Sequence, residues 1–242
     1  MLSTKSIVLA SAVALAQLTG AHPAIAPRSS AATNDTQQPP SPPAAPILGS
    51  DEPSPLATTG YFLTHLSLNV RNMTASIDFY TSVLGFREIF SLPASEHLTV
   101  SYLGHAQGGR NGTGYQTSAE LARDMSNLSG LIEMLCLDVP EQDLPASSET
   151  ANTFGHLGIV VPDVDATQAW LESRGVALLK KVDAPTPRDG PIANANSFPP
   201  AAWAQLGADE REQIGATLDE INWRFIFLAD PDGNIIEIQP QR

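Results

Sequence analysis

The stretch His156-Leu157-Gly158-Ile159-Val160-Val161-Pro162-Asp163-Val164 restates an earlier one, His65-Leu66-Ser67-Leu68-Asn69-Val70. In each, a histidine opens a run of β-favouring residues. A helical segment follows and closes on a glycine, Gly85 in the first copy and Gly175 in the second. Thr74 and Asp165 stand where helix caps are expected, and glycine suits the left-handed position just past a helix end. Ile77, Tyr80 and Leu84 recur at helical spacing, widened by Phe79 and Val83, so that stripe is expected to be core. Strands are then expected at 86–92, 98–103 and 131–137 in the first copy and at 176–182, 223–229 and 235–239 in the second. Asp230-Pro231-Asp232-Gly233-Asn234 supplies tight-turn chemistry before the last strand. The chain therefore reads as a duplicated β-α-β-β-β module, 61–137 and 153–240, an α+β fold.

Working outward, two insertions interrupt the repeat at matching places. Residues 104–129 precede the last strand of the first copy, with a helix expected at 118–125. Residues 183–222 do the same in the second, with a helix expected at 208–221. Insertions at equivalent positions are expected to form loops over one shared site.

Ahead of the repeat, residues 22–60 are rich in Pro, Ala and Ser and carry no hydrophobic period, which predicts a disordered linker. Residues 1–21 pair Lys5 with a short apolar run at 7–18 and small residues at Thr19, Gly20 and Ala21, the pattern of a secretory signal peptide. That run is shorter than the roughly 20 residues a membrane span needs. The mature chain is expected to start near His22 or Pro27 and to be secreted. Four N-x-S/T acceptors, at Asn34, Asn72, Asn111 and Asn127, suit that compartment and predict a glycoprotein. The lone cysteine, Cys136, lies in an apolar strand, so no intrachain disulfide is possible and the core must hold the fold. A net charge of -13 repels polyanions, which argues against nucleic acid and anionic membrane surfaces as partners, and the expected partner is a small-molecule substrate.

Four positions carry the chemistry. Each copy supplies one histidine from its first strand (His65, His156) and one glutamate from its last (Glu133, Glu237). The glutamates sit in the matching contexts Leu131-Ile132-Glu133-Met134 and Ile235-Ile236-Glu237-Ile238. Alternation puts His65 on the side shared by Leu63, Ser67 and Asn69, opposite Leu66, Leu68 and Val70. A carboxylate inside such an apolar run must face water or a partner, because an unpaired buried charge is costly. Two imidazoles and two carboxylates form a donor set for Zn²⁺, Ni²⁺, Co²⁺ or Fe²⁺ and are too rich in nitrogen for a dedicated Ca²⁺ site. No dinucleotide, P-loop or Gly-x-Ser-x-Gly fingerprint occurs.

Ser76-Ile77-Asp78-Phe79-Tyr80 with Val83-Leu84-Gly85-Phe86, then Gly130-Leu131-Ile132-Glu133, then Phe154-Gly155-His156 through Val164, and finally Asp230 through Ile238, resemble glyoxalase I (lactoylglutathione lyase) of the vicinal-oxygen-chelate superfamily. The resemblance runs from about Tyr61 to Pro240. It implies paired modules forming a cupped mixed sheet around one divalent ion (Zn, Ni or Co), with His65, Glu133, His156 and Glu237 as ligands. It also implies isomerisation of a 2-oxoaldehyde–thiol hemithioacetal to a 2-hydroxyacyl thioester by proton transfer through an enediolate, with Glu237 as the base and Glu133 as its partner or alternate. Glutathione is the implied co-substrate. Substrate-binding positions fall on Asn69, Asn152, Lys180 and Lys181. The first two replace arginines of the glutathione-using members, and only the lysine pair keeps a basic residue. Another substrate of the same fold, or a non-catalytic binding module, stays open, as does a homodimer in which two chains share each site.

Overall fold

A computed structural model of the chain describes residues 46–108, 114–140 and 143–241. The expected signal peptide, the linker up to residue 45 and the acceptors Asn34 and Asn111 lie outside the described residues. Of the remaining acceptors, Asn72 and Asn127 are both exposed. The end of the expected linker carries a short 3-10 turn at Leu56–Thr58.

The first module runs β1 (His65–Asn69), α1 (Met73–Asp78), β2 (Arg87–Pro93), β3 (Leu98–Gly104), α2 (Ser118–Asp124) and β4 (Leu131–Leu137). The second runs β5 (His156–Val161), α3 (Val164–Ser173), β6 (Leu178–Lys180), α4 (Gly190–Ala195), α5 (Pro200–Trp203), α6 (Ala208–Asn222), β7 (Ile226–Ala229) and β8 (Ile235–Pro240). Each module forms its own four-stranded mixed sheet, in the orders β1-β4-β3-β2 and β5-β8-β7-β6. The first strand of each pairs parallel with the last, and the other pairings are antiparallel.

The helix caps differ from expectation. Asn72 and Asp163, two residues ahead of Thr74 and Asp165, cap α1 and α3, and their side chains accept from the N–H groups of Ala75 and Ala166. A cap must reach a backbone donor two or three residues on, and only these earlier side chains do. α1 widens into a π-helical turn at Phe79–Val83 before Gly85, whose φ of 74° matches the 73° of Gly175. That backbone region penalises any side chain with a Cβ, which is why both helices stop on glycine.

One core spans both modules. Leu68, Val70, Tyr80, Phe86, Leu103, Ile132, Met134 and Cys136 of the first pack with Val164, Leu171, Ile226, Leu228, Ile236 and Ile238 of the second. These residues occupy one face of each sheet, so alternation sends Glu133 and Glu237 to the opposite faces. Polar ties also cross between the modules. The buried Tyr80 phenol donates to Asp230 Oδ2 at 3.0 Å, and the indole N–H of Trp170 donates to the Val83 carbonyl at 2.8 Å. Burial raises the Asp230 carboxyl, and it raises the Tyr80 phenol well above its ordinary value.

Candidate functional site

Register explains why each histidine meets its glutamate. In the first sheet Ser67 lies opposite Glu133, and in the second Gly158 lies opposite Glu237. His65 and His156 each stand two residues before that partner, on the same face, at the diagonal distance that long side chains bridge. His65 Nε2 comes to 3.8 Å from Glu133 Oε2, and His156 Nε2 to 3.5 Å from Glu237 Oε2. The duplication is thus reproduced in the geometry as well as in the residue types.

The second oxygen of each carboxylate is already held. The Tyr102 hydroxyl, across the β3–β4 pairing from Glu133, donates to Glu133 Oε1 at 2.8 Å. Burial first, and the bond to Glu133 second, push that phenol up to about 12, so it stays a proton donor at neutral pH. In the second module Phe227 occupies the matching place across from Glu237, and the Gln239 amide donates to Glu237 Oε1 at 2.5 Å instead. The far nitrogens of the imidazoles differ too. His65 Nδ1 lies 2.7 Å from the Thr64 hydroxyl, whereas His156 Nδ1 is buried without a hydrogen-bond partner.

Two donors bound to one ion at about 2.1 Å, and spread at a tetrahedral angle, lie about 3.4 Å apart. Both His–Glu separations are near that spacing, so each pair has the donors and the separation of a two-donor half-site for a divalent cation. The structure gathers the four expected ligands as two pairs. Among the described residues no group of three or more His, Cys, Asp or Glu side chains is close enough to hold an ion. A cavity of about 130 Å³ between the sheets is lined by Leu63, His65 and Leu66 on one side and by Leu157 and Ile159 on the other.

The insertions roof these faces separately. α2, fastened by a capping box between Thr117 and Glu120, lays Leu121 on Ile89 and Leu131. α4 lays Ile192 and Ala195 on Phe225, Phe227 and Ile235, and Asn194 ties it to the carbonyls of Ser148 and Glu149. Its approach needs Gly155, where a Cβ would fall 2.8 Å from the Ala195 carbonyl oxygen.

The four expected substrate-binding residues scatter. Asn69 ends β1, exposed, on the face that carries His65. Asn152 is used in the turn before β5, accepting from the Phe154 N–H and donating to the Thr150 carbonyl. Lys180 is buried, and its ammonium donates to the carbonyls of Lys181, Asn222 and Phe225 at 3.0, 2.7 and 2.9 Å. Lys181 pairs with Glu172 on α3 at 2.8 Å. Neither lysine is brought to a His–Glu pair. Sequence reading missed Tyr102 and Gln239. Gln239 could have been found, since it shares a face with Glu237 two residues along one strand; Tyr102 needed the register of a second strand.

A family model described as the glyoxalase/bleomycin resistance protein/dioxygenase superfamily matches residues 62–190. The chain is 24% identical over 187 residues to a lactoylglutathione lyase of Schizosaccharomyces pombe, covering 72% of this chain and 57% of that protein. It therefore spans little more than half the length of this curated relative. Similar solved structures include the trypanothione-dependent glyoxalase I of Leishmania major, at 17% identity and a TM-score of 0.42 over 75% of this chain and 87% of that one. Another is TnmS3, an antibiotic-binding protein of Streptomyces sp. CB03234, at 17% identity and a TM-score of 0.38 over 76% and 98%.

Proposed function

The chain belongs to the glyoxalase/bleomycin resistance protein/dioxygenase superfamily, and from that premise we propose that it is a metal-dependent glyoxalase I-type lyase that converts a 2-oxoaldehyde–thiol hemithioacetal to a 2-hydroxyacyl thioester. The observation that carries this reading is the pair of His–Glu half-sites at one register in both repeats. His65, Glu133, His156 and Glu237 would hold the ion. When bound, it would supply Lewis acidity toward two adjacent substrate oxygens. Glu237 takes the carbon-bound proton and returns it to the neighbouring carbon, with Glu133 as its counterpart.

Two donors per half-site fall short of the three or four protein ligands that such ions take. The reading therefore requires the halves to meet, either by closure of the two modules or by two copies pairing so that each supplies one half. In the same reading the apolar run at 7–18 is a secretory signal and the protein acts outside the cell. The test is turnover of the methylglyoxal–glutathione adduct by purified protein loaded with Zn²⁺, Ni²⁺ or Co²⁺. Thioester formation that stops on chelation supports the reading; metal-loaded protein without turnover removes it.

One observation favours a second reading. Lys180 is committed to backbone carbonyls and Asn69 is uncharged, so the thiol's carboxylates lack a cationic clamp at both positions. An enzyme of the same chemistry acting on another small substrate would show stoichiometric metal and no activity with the glutathione adduct.

A further inference from the structure

The acceptor sequence Asn72-Met73-Thr74 has no part in the chemistry above, and the fold treats its asparagine unlike the others. Asn72 and Thr74 are both exposed, and the Asn72 backbone is extended, with φ -142° and ψ 100°. Its Oδ1 accepts from the Ala75 N–H at 3.0 Å and so caps α1. Its Nδ2 donates to no residue among those described.

Elsewhere the fold uses the amide nitrogen. Asn152 donates through Nδ2 to the Thr150 carbonyl, and Asn194 to the carbonyls of Ser148 and Glu149. Asn222 donates to the Thr186 hydroxyl, and Asn234 to Asp230 Oδ2. None of these four stands two residues ahead of a serine or threonine. Asn72 does, and it bonds through oxygen alone. A substituent on Nδ2 replaces one hydrogen and leaves the lone pairs of Oδ1 in place. At Asn72 that removes no contact. At Asn234 it would remove a buried bond, and at Asn194 a tie that holds α4.

We propose that Asn72 carries an N-linked glycan on Nδ2 while its Oδ1 keeps the helix cap, one carboxamide filling both roles. The inference rests on the secretory reading of the run at 7–18 and is independent of the metal reading. The donor is a sugar carried on a lipid diphosphate. A bond forms from Nδ2 to the sugar C1 as the bond from C1 to the diphosphate oxygen breaks. The lipid diphosphate leaves with that electron pair, Nδ2 gives up one proton, and nothing is oxidised or reduced. The Thr74 hydroxyl completes the acceptor sequence. Because the cap holds the carboxamide, the sugar leaves the surface from a fixed point, just past the strand that bears His65.

The experiment secretes the full chain, residues 1–21 included, from a eukaryotic host that makes glycoproteins. Release of sugar by peptide N-glycosidase in heavy-oxygen water labels each asparagine that carried it, and mass spectrometry reads the peptide holding Asn72. Label is expected there in the wild type and absent in Asn72→Asp and Thr74→Ala. Both variants keep a capping oxygen at position 72 and should melt together, whereas Asn72→Ala should melt about 2–4 °C lower. Exported protein whose Asn72 is unlabelled would overturn the proposal and leave the secretory reading intact. Wild-type protein retained in the cell with Met1 in place would overturn both. An Asn72→Ala variant that melts with the other two would overturn the double role.

Discussion

The Ser76 hydroxyl, on α1 of the first module, donates to Asp232 Oδ2 at 3.1 Å in a buried setting. The other oxygen of that carboxylate accepts from the Arg71 N–H at 2.9 Å. The turn that launches the Glu237 strand is thereby fastened to the segment that follows the His65 strand. Asp232→Ala strands both donors, and charge-assisted bonds of this kind are worth about 1.5–3 kcal/mol each. Urea unfolding should show a loss of about 2–4 kcal/mol, with Ser76→Ala costing less. Wild-type stability in Asp232→Ala would show that the fastening is idle.

His156→Ala removes one of two donors from a half-site. Elemental analysis of protein dialysed against buffered Zn²⁺ should show most of the metal lost, and His65→Ala should behave the same way. Stoichiometric metal retained in both variants would exclude the His–Glu pairs as ligands.

Glu237→Gln is isosteric and keeps an oxygen, but an amide cannot accept a proton at neutral pH. On the proposed chemistry it should retain the fold, keep much of its metal and lose about 10²–10⁴-fold in kcat, the usual worth of a general base. Glu133→Gln should be damaging through metal affinity more than through kcat. Full activity in Glu237→Gln with a dead Glu133→Gln would reverse the assignment.

Lys180 answers to pH. Burial brings its ammonium down to about 8 from the ordinary 10.5, against a smaller opposing pull from Asp219 and Asp183. The folded chain therefore releases this proton at a lower pH than the unfolded chain does. Between about 8 and 10.5 the unfolded state binds more protons, so the stability this group contributes grows with pH across that window. Lys180→Met leaves three carbonyls without their donor and should cost about 1–3 kcal/mol at pH 7. The gap between wild type and Lys180→Met in thermal melts should widen as pH rises above 8. A gap that narrows would contradict the sign.

The repeat was readable because its signals are local. β4 and the start of β8 fall where alternation and the Asp230–Asn234 turn put them, and the helices end on the two glycines. Signals that depend on distant partners were not readable. The strand expected at 176–182 shrinks to Leu178–Lys180, with an irregularity where it pairs β7. The one expected at 223–229 begins only at Ile226, because the Phe225 N–H bonds back to the Asn222 carbonyl and prolongs the end of α6. α4 went unseen although Gly190-Pro191 is a recognisable helix start. At the site, the identities of His65, Glu133, His156 and Glu237 were visible in their own strands. The role of Lys180 was not, since two of its acceptors lie 42 and 45 residues away.

The unlike roofs have a consequence for direction. A pocket built from two identical repeats would be blind to it, because a ligand turned end for end would meet the same walls. Here one half is flanked by Leu121 and Leu128 beside Phe90 and Tyr102, and the other by Ile192 and Ala195 beside Phe225 and Phe227. An energy difference of about 1.4 kcal/mol between two poses already selects one tenfold. Which end of a bound molecule faces which half would then be set by the two insertions, a choice that the matched strands alone could not make.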